Sequence, residues 1–228
     1  MALVPLNLPA GVYRNGTDLQ SQGRWRDSNL VRWFDDTLRP IGGWRTRSDT
    51  ASAGQVRGMH SWIANNSDRW IAAGSYNKLY AYSGAGIQYD ITPSGFTAGN
   101  EDALNPIGFG TSFYGREYYG TSRQEAVTIT PATTWSLDSF GEYLVACSST
   151  DGKVYEWQLN TGAIAAVISN APVNNRAILV TEERFLMCLG AGGNPRLVQW
   201  SDRENNNLWT PAATNEAGSL ELQTTGRI

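Results

Sequence analysis

Short apolar runs separated by small and polar residues recur three times along the chain. In each repeat, an apolar run is followed by a turn of small residues, a basic residue and a second apolar run that ends on an aromatic residue. The three repeats occupy 69–82, 142–157 and 184–200. Their equivalent aromatic residues, Trp70, Tyr143 and Phe185, are 73 and 42 residues apart. A period of about 40–45 residues built from short strands is typical of β-propeller blades.

Clusters of Gly, Asn and Ser between the runs predict hairpin turns, because these residues adopt positive φ or hydrogen-bond their own backbone. Asp151-Gly152 is a strong example. The predicted strands cover 55–63, 69–73, 78–82, 88–91, 135–137, 143–147, 153–157, 163–168, 176–181, 184–189 and 196–200. We therefore expect an all-β fold with about three propeller-like blades of short antiparallel strands. An extended N-terminal arm and interaction segment would cover 1–54, and an incomplete propeller 55–228.

The number of repeats leaves the predicted ring open, because propellers typically close with four to eight blades. An open stack of sheets would expose strand faces and edges. The third repeat also ends loosely: Trp209-Thr-Pro211 is followed by AATNEAGSLELQTTGRI, which stops on a strand-like run without a cap. We expect the chain to be part of a longer one. The alternative is that partner copies cover the open side.

The N-terminal segment is dense in Arg and aromatic residues over 21–47. Asp35-Asp36 offers a turn, so the pattern predicts a short hairpin with aromatic residues on one face; a short helix across 27–34 is the alternative. Arg and aromatic side chains are enriched at protein interfaces. The candidate subunit-interaction residues are Arg24, Trp25, Arg26, Arg32, Trp33, Phe34 and Trp44.

A long insertion over 93–133 separates the first two repeats, and its middle alternates Gly with Phe and Tyr. This segment is too rich in Gly for a buried strand and too aromatic for a linker. Long loops inside compact domains are usually functional or disordered. We interpret it as a partner-contact loop, with packing over the blade edge as the alternative. The contact residues would be Phe109, Phe113, Tyr114, Tyr118 and Tyr119.

The charge is small and unevenly distributed. The net charge is −3, with +3 over 1–57 and −6 over 58–228. This charge is too small for nucleic-acid binding to be the default expectation. No apolar stretch approaches the length of a membrane span, and the N-terminus lacks the pattern of a signal peptide.

The side chains that usually carry catalysis are scarce. The chain has one His, His60, and two Cys, Cys147 and Cys188, which are expected in strands. The carboxylate pairs Asp35-Asp36, Glu101-Asp102 and Glu182-Glu183 are sequence neighbours, which point to opposite faces of a strand and do not suit a glycosidase. We expect no enzyme activity, no catalytic residues, no cofactor and no metal site. The polar run 202–207 is interpreted as a turn, with a cation site as the alternative.

Four segments resemble virion proteins of tailed bacteriophages, in the same order: 8–44, 108–123, 134–147 and 197–211. The family is that of the tail nozzle or tail hub proteins of short-tailed phages. The resemblance implies a structural, propeller-bearing subunit of a six-membered homo-oligomeric ring around the DNA exit channel. Its partners would be other tail and adaptor proteins, with viral DNA passing without sequence-specific binding. Such a protein assembles in the host cytoplasm, resides in the virion tail, and acts in tail assembly and in genome retention and delivery.

Two other functions fit the same pattern. One is a carbohydrate-binding propeller for receptor recognition, with the Gly/aromatic loop stacked on sugar. The other is a fragment of a glycoside hydrolase, since propellers also host such enzymes and carboxylates distant in sequence can meet in space.

Overall fold

The computed structural model describes residues 9–43, 45–103, 130–223 and 226. The chain divides into two compact units, before and after the bond between Thr46 and Arg47. The described residues form an all-β structure of four small antiparallel sheets, and the only helix among them is a 3-10 turn over Ala191–Gly193.

The first unit contains one hairpin, formed by β1 (Val31–Phe34) and β2 (Thr37–Pro40). Asp35 and Asp36 form its two-residue turn with φ of 46° and 54°. Positive φ at both central residues is the geometry that matches the twist of paired strands. The predicted hairpin is therefore confirmed, and the alternative helix across 27–34 is wrong.

The segment before the hairpin folds back on itself, whereas an extended arm was expected. Val12 forms a bridge with Trp25, and the Tyr13 N–H donates a hydrogen bond of 2.8 Å to the Trp25 carbonyl. Residues 47–54, assigned from the sequence to the N-terminal arm and interaction segment, belong to the second unit. The Arg47 guanidinium donates to the Gly84 carbonyl at 2.7 Å, and the Ala53 N–H donates to the Tyr80 hydroxyl at 3.1 Å.

The second unit contains three four-stranded sheets, and in each of them every strand pairs with the next strand in the chain. The first sheet comprises β3 (Met59–Ile63), β4 (Arg69–Gly74), β5 (Leu79–Ser83) and β6 (Gln88–Asp90). The second sheet comprises β7 (Trp135–Phe140), β8 (Tyr143–Ser148), β9 (Val154–Trp157) and β10 (Ala166–Val167). The third sheet comprises β11 (Ala177–Val180), β12 (Leu186–Leu189), β13 (Leu197–Trp200) and β14 (Gly218–Glu221).

The end of the third repeat is more ordered than the sequence predicts. β14 pairs with β13 along its whole length, from Leu197 opposite Glu221 to Trp200 opposite Gly218. The strand-like run predicted there is confirmed, whereas the loose end is wrong. The pairing with β13 was missed because the strand has only four residues and lies far from β13 in sequence. The remaining predicted strands are confirmed, with shifts at their ends.

Two of the turns between first and second strands share one backbone conformation. The β3–β4 and β11–β12 turns have the same backbone bonds: the Ser67 N–H donates to the Ala64 carbonyl, and the Arg184 N–H to the Thr181 carbonyl. Ser67 and Arg184 also share positive φ, at 68° and 65°. The two turns therefore give their sheets the same connection between first and second strands.

A core of aromatic and aliphatic side chains lies between the first and second sheets. Trp70 and Trp157 meet edge to face, with ring centroids 5.2 Å apart. Burying a large apolar side chain contributes about 1.5–3 kcal/mol. The buried members are Trp62, Ala64, Trp70, Ala72, Leu79, Ala81, Ile91, Trp135, Leu144, Ala146, Tyr155, Trp157 and Ala165.

A second core lies between the second and third sheets. It includes Val145 and Cys147 from β8, and Leu186 and Cys188 from β12. The second sheet is thus covered on both faces, since Leu144 and Ala146 belong to the other core. Consistent with this, five successive residues of β8 are fully buried. No sheet closes on itself in the part of the chain described.

Candidate functional site

Side chains of β7 hydrogen-bond the backbone of β11 and so connect the second and third sheets. The Ser136 hydroxyl donates to the Ile178 carbonyl at 2.7 Å and accepts from the Ile178 N–H at 3.1 Å. The Asp138 carboxylate accepts from the Val180 N–H at 2.7 Å. In an isolated strand these polar side chains would face solvent. Here they hydrogen-bond the backbone of β11 and so connect two sheets that share no backbone ladder.

The first and second sheets are connected by two tryptophan N–H groups. The Trp135 indole donates to the buried Ser75 carbonyl at 2.7 Å, and the Trp62 indole donates to the Glu142 carbonyl at 3.0 Å. His60 stacks on Trp62, with ring centroids 5.9 Å apart. His60 Nε2 lies 3.9 Å from Asp138 Oδ1. The single histidine thus lies among groups that join the sheets.

The candidate subunit-interaction residues of the first unit lie close together. Trp25 and Trp33 are half-buried and meet edge to face at 6.4 Å. The Arg24 guanidinium lies 5.3 Å from the ring centroid of Tyr13. Arg24, Arg26 and Arg32 are exposed. The Arg26 side chain pairs with Asp18.

One detail of the predicted hairpin is wrong. Trp33 and Phe34 are adjacent on β1, so they point to opposite faces and not to one. Phe34 is 50% exposed, and the Arg39 guanidinium lies 4.7 Å from its ring centroid. Trp44 lies outside the described residues.

The candidate loop residues Phe109, Phe113, Tyr114, Tyr118 and Tyr119 also lie outside the described residues. The structure does show the two ends of the insertion. Phe96 packs on Trp135, with ring centroids 5.1 Å apart. The Thr133 N–H donates to the Asn100 carbonyl at 2.9 Å. The two ends of the insertion therefore lie close together, beside the core between the first and second sheets.

A surface that the sequence analysis missed is the face of the third sheet that points away from the second sheet. We call it the forward face. Alternation along the strands and the register of the sheet place one apolar side chain after another on it. In β12 the forward-face residues Met187 and Leu189 are half-buried, whereas the alternate residues Leu186 and Cys188 are fully buried. The forward face consists of Ala177, Leu179, Met187, Leu189, Val198, Trp200 and Leu220.

The first sheet also has a face that points away from the second sheet, which we call the rear face. A groove of about 330 Å³ crosses the rear face near the start of β4 and the end of β5. Ile63 is 61% exposed there, and Met59 on the same strand face is 69% exposed. The rear face includes Met59, Ser61, Ile63, Arg69, Ile71 and the buried Ala73.

A polar groove of about 450 Å³ lies where the β7–β8 turn meets β9 and the loop after β13. The half-buried Tyr143 contributes an aromatic ring, and Asn206 donates to the Glu156 carboxylate. The principal lining residues are Glu142, Tyr143, Glu156, Gln158, Asn206 and Asn207. No sequence signal identified it, because its lining comes from all three four-stranded sheets, with Asn65 from the first.

The remaining side chains that could carry chemistry are buried in strands or belong to a turn. Burial, with a smaller effect of Asp151, raises the pKa of Cys147 to about 12, and burial also raises the pKa of Cys188. The Tyr155 hydroxyl donates to Asp151. Residues 202–207 form a turn, which a bridge between Asp202 and Asn205 closes. Among the described residues, no group of three or more His, Cys, Asp or Glu could hold a metal ion.

Comparison of the chain with protein-family models, with curated proteins and with solved structures found no match. In the described ranges no helix has the length and hydropathy needed to cross a membrane.

Proposed function

We propose that the chain is a non-enzymatic structural subunit of a bacteriophage tail, of the nozzle or hub type. The observation that carries the proposal is the succession of three four-stranded sheets with an apolar core on either side of the middle one. The same four-stranded sheet is thus repeated along the chain, as in a structural scaffold. The resemblance of four sequence segments to phage tail proteins gives the scaffold its context.

In this proposal each sheet is one blade of a propeller-like domain. The first strands of consecutive sheets contact each other, β3 with β7 and β7 with β11. In a propeller the blades are arranged radially about a central channel, so neighbouring blades adjoin in this way. The hydrogen bonds of Ser136 and Asp138 to β11 fix the spacing of two blades.

The subunit would form a ring of copies, six by the resemblance, around the channel through which DNA leaves. The region 58–228 carries a net charge of −6. A basic lining would bind phosphates and hold the DNA, whereas an acidic surface lets it pass. The exposed Arg and aromatic residues of the first unit would contact neighbouring subunits or other tail proteins, because such side chains suit interfaces.

The test is to label virions of the phage that encodes the chain with antibodies against it and to image them. We expect label at the tail tip. Virions without label, or with label on the capsid or fibres, would overturn the proposal. Deletion of residues 1–47 tests the role of the first unit: we expect loss of ring assembly, and normal rings would contradict that role.

A second function, recognition of a carbohydrate receptor, is favoured by the polar groove beside Tyr143. An aromatic ring flanked by carboxylates and side-chain amides suits the apolar faces and the hydroxyl groups of a sugar. A glycan array with the intact chain tests this function. Binding that Tyr143→Ala abolishes, and that Tyr13→Ala in the first unit leaves unchanged, would support it.

A further inference from the structure

The hairpin β1–β2 is the only sheet of the first unit in the part of the chain that the structure describes. A two-stranded sheet is marginally stable in water, and independent stability requires further strands or a covering layer. All four residues of β2 are exposed, so neither face of that strand is covered. The hairpin therefore lacks the additional strand or layer that stabilises most small sheets.

The register of the hairpin shows which backbone groups point outward. Residue pairs in an antiparallel ladder alternate between those whose N–H and C=O groups face each other and those whose groups point away. Leu30 and Ile41 are of the first kind, because the Ile41 N–H donates to the Leu30 carbonyl at 2.8 Å. Alternation along the ladder then makes Val31 and Trp33 point outward from β1. The described residues provide no backbone acceptor for these two N–H groups, so the outer edge of β1 is open to a further strand.

The opposite edge of the hairpin, along β2, is not suited to a further strand. Pro40 is opposite Val31 and belongs to the outward-pointing set, and proline has no N–H to donate. Proline is one of the devices by which an edge strand avoids pairing with another chain. β1, with the sequence VRWF, contains no proline. The hairpin thus offers one edge for pairing and protects the other.

One face of the hairpin carries two arginines that lie directly opposite each other. Arg32 on β1 and Arg39 on β2 are partners in the register, and both are exposed; we call them the opposed arginines. The Cβ atoms of such a pair are about 5 Å apart, and like charges there destabilise a sheet. The Arg39 guanidinium crosses to β1, where it lies 4.7 Å from the ring centroid of Phe34. The positive charge of this face is therefore concentrated along β1, beside the open edge.

The carboxylates of the first unit do not neutralise the opposed arginines. Two other arginines of the unit, Arg14 and Arg26, each have an aspartate partner. Asp35 and Asp36 form the turn at the end of the hairpin. Within the described ranges, no carboxylate lies at ion-pair distance from either opposed arginine. An anionic group from another molecule would relieve the repulsion between them.

We propose that an extended acidic segment of a partner protein adds to the outer edge of β1 as a third strand. Its carboxylates face the opposed arginines, which suit them because guanidinium and carboxylate form two parallel hydrogen bonds. Its alternate residues are apolar and lie on the other face beside the half-buried Trp33, since successive residues of a strand point to opposite faces. Strand addition to an open sheet edge is a general mode of peptide recognition. This inference rests on the proposed contact of the first unit with neighbouring subunits or tail proteins and names the chemistry of that partner.

The test measures the binding of two labelled synthetic peptides to the full chain by fluorescence anisotropy. One peptide alternates valine and glutamate, and the other has the same composition in two blocks, all valines before all glutamates. Both have the same charge, so a difference in affinity reports the alternation that a strand requires. We expect the alternating peptide to bind more tightly by about tenfold or more.

Charge reversal of one opposed arginine separates binding from folding. Arg39→Glu places opposite charges in the pair with Arg32, so the hairpin itself should become more stable. The same change removes a guanidinium and repels the peptide, so binding of the alternating peptide should weaken by about tenfold or more. Arg45→Glu is the matched control, because Arg45 is an exposed arginine of the same unit outside the hairpin. It should bind the peptide as the wild type does.

Amide hydrogen exchange in the full chain, resolved to single residues, locates the bound strand. On addition of the alternating peptide, we expect slower exchange at Val31 and Trp33, whose N–H groups point outward from β1. Exchange should not change at Leu38, whose N–H points outward from the opposite edge. This pattern distinguishes strand addition along β1 from attraction of the peptide to the charged side chains alone.

Four results would overturn the inference. The first is no binding of either peptide, and the second is equal binding of both. The third is a peptide affinity of Arg39→Glu equal to that of the wild type, or slower exchange at Leu38 in place of Trp33. The fourth is tighter binding of a single-stranded DNA oligonucleotide of equal charge, which would assign the opposed arginines to phosphates. None of these results removes antibody label from the tail tip, so the proposed function stands or fails separately.

Discussion

The Asp138 carboxylate accepts a hydrogen bond of 2.7 Å from the backbone N–H of Val180, which lies 42 positions further along the chain. Ser136 and Ile178, connected by two hydrogen bonds, have the same separation. This separation matches the spacing of the second and third repeats in the sequence. One repeat therefore contains the residues of one sheet and the connection that brings the chain to the equivalent strand of the next sheet.

Replacement of Asp138 tests how much this connection stabilises the second unit. Asp138→Ala removes the acceptor from the half-buried Val180 N–H, and the net contribution of such a hydrogen bond is about 0.5–1.5 kcal/mol. We expect a loss of that size in the free energy of unfolding, measured by urea denaturation. Asp138→Asn retains an acceptor oxygen and should lose less. The exposed Asp49→Ala serves as control, with a change within about 0.5 kcal/mol.

Gly74→Ala should destabilise the contact between the first and second sheets. Gly74 ends β4, and a Cβ there would overlap the indole ring of Trp135. Overpacking of this kind typically costs about 1–3 kcal/mol. Thermal unfolding measures the loss. Gly162→Ala is the control, because the nearest atom to its added Cβ is a side-chain oxygen of Asn160 at 3.5 Å. Equal melting temperatures for the two variants would contradict the expectation.

The sequence predicts the strands well because its turns carry specific signals. Asp35-Asp36 and Asp151-Gly152 mark turns whose backbone requires positive φ, at both aspartates and at Gly152. Alternating apolar runs then place the strands between such turns. The pairing of β14 with β13 was missed because GSLE has few apolar residues and no turn signal connects it to its partner.

The contacts between sheets could not be predicted in the same way. Ser136 and Asp138 look like solvent-facing positions of a strand, and only the packing of β7 beside β11 turns them inward. The forward face was missed for a related reason. LMCL predicts a buried strand, but it does not say which of its two faces lacks a partner in this chain. The polar groove beside Tyr143 depends on segments from all three repeats, so no single segment indicates it.

Alkaline pH should destabilise the second unit. Burial raises the pKa of Cys147 to about 12 and also raises that of Cys188, so the folded state favours the neutral thiols. Unfolded thiols ionise near pH 8.5. The contribution to stability is complete below that pH and is lost as pH rises towards the folded pKa, by up to about 1.4 kcal/mol per pH unit for each thiol.

Urea denaturation at pH 8, 9 and 10 under reducing conditions measures this decline. Cys147→Ala lowers stability at pH 8, because it removes buried volume. Its stability should nevertheless fall less steeply with pH, since one titrating thiol is gone. A slope identical to that of the wild type would show that the Cys147 thiol ionises equally in both states.

Asn175 should be intolerant of an isosteric change. Its side-chain amide is buried and donates to the Gly152 carbonyl at 2.9 Å and to the Pro172 carbonyl at 2.5 Å, which joins the second sheet to the segment before β11. Asn175→Asp keeps the shape but replaces the donor by a buried acceptor, so the Pro172 carbonyl loses its donor and the Gly152 carbonyl keeps only the Asn175 backbone N–H. Each unsatisfied group costs about 1–3 kcal/mol.

The matched control for this change is Asn170→Asp. Asn170 is exposed and donates one hydrogen bond, of 3.0 Å, to the Asn207 carbonyl, so its loss should change stability by no more than about 0.5 kcal/mol. Asn175→Asp should therefore lower the urea midpoint well below that of Asn170→Asp at pH 7. The difference should narrow at low pH, where a protonated aspartate again has an O–H to donate. A midpoint for Asn175→Asp equal to the control at pH 7 would mean that the amide does not join the two segments.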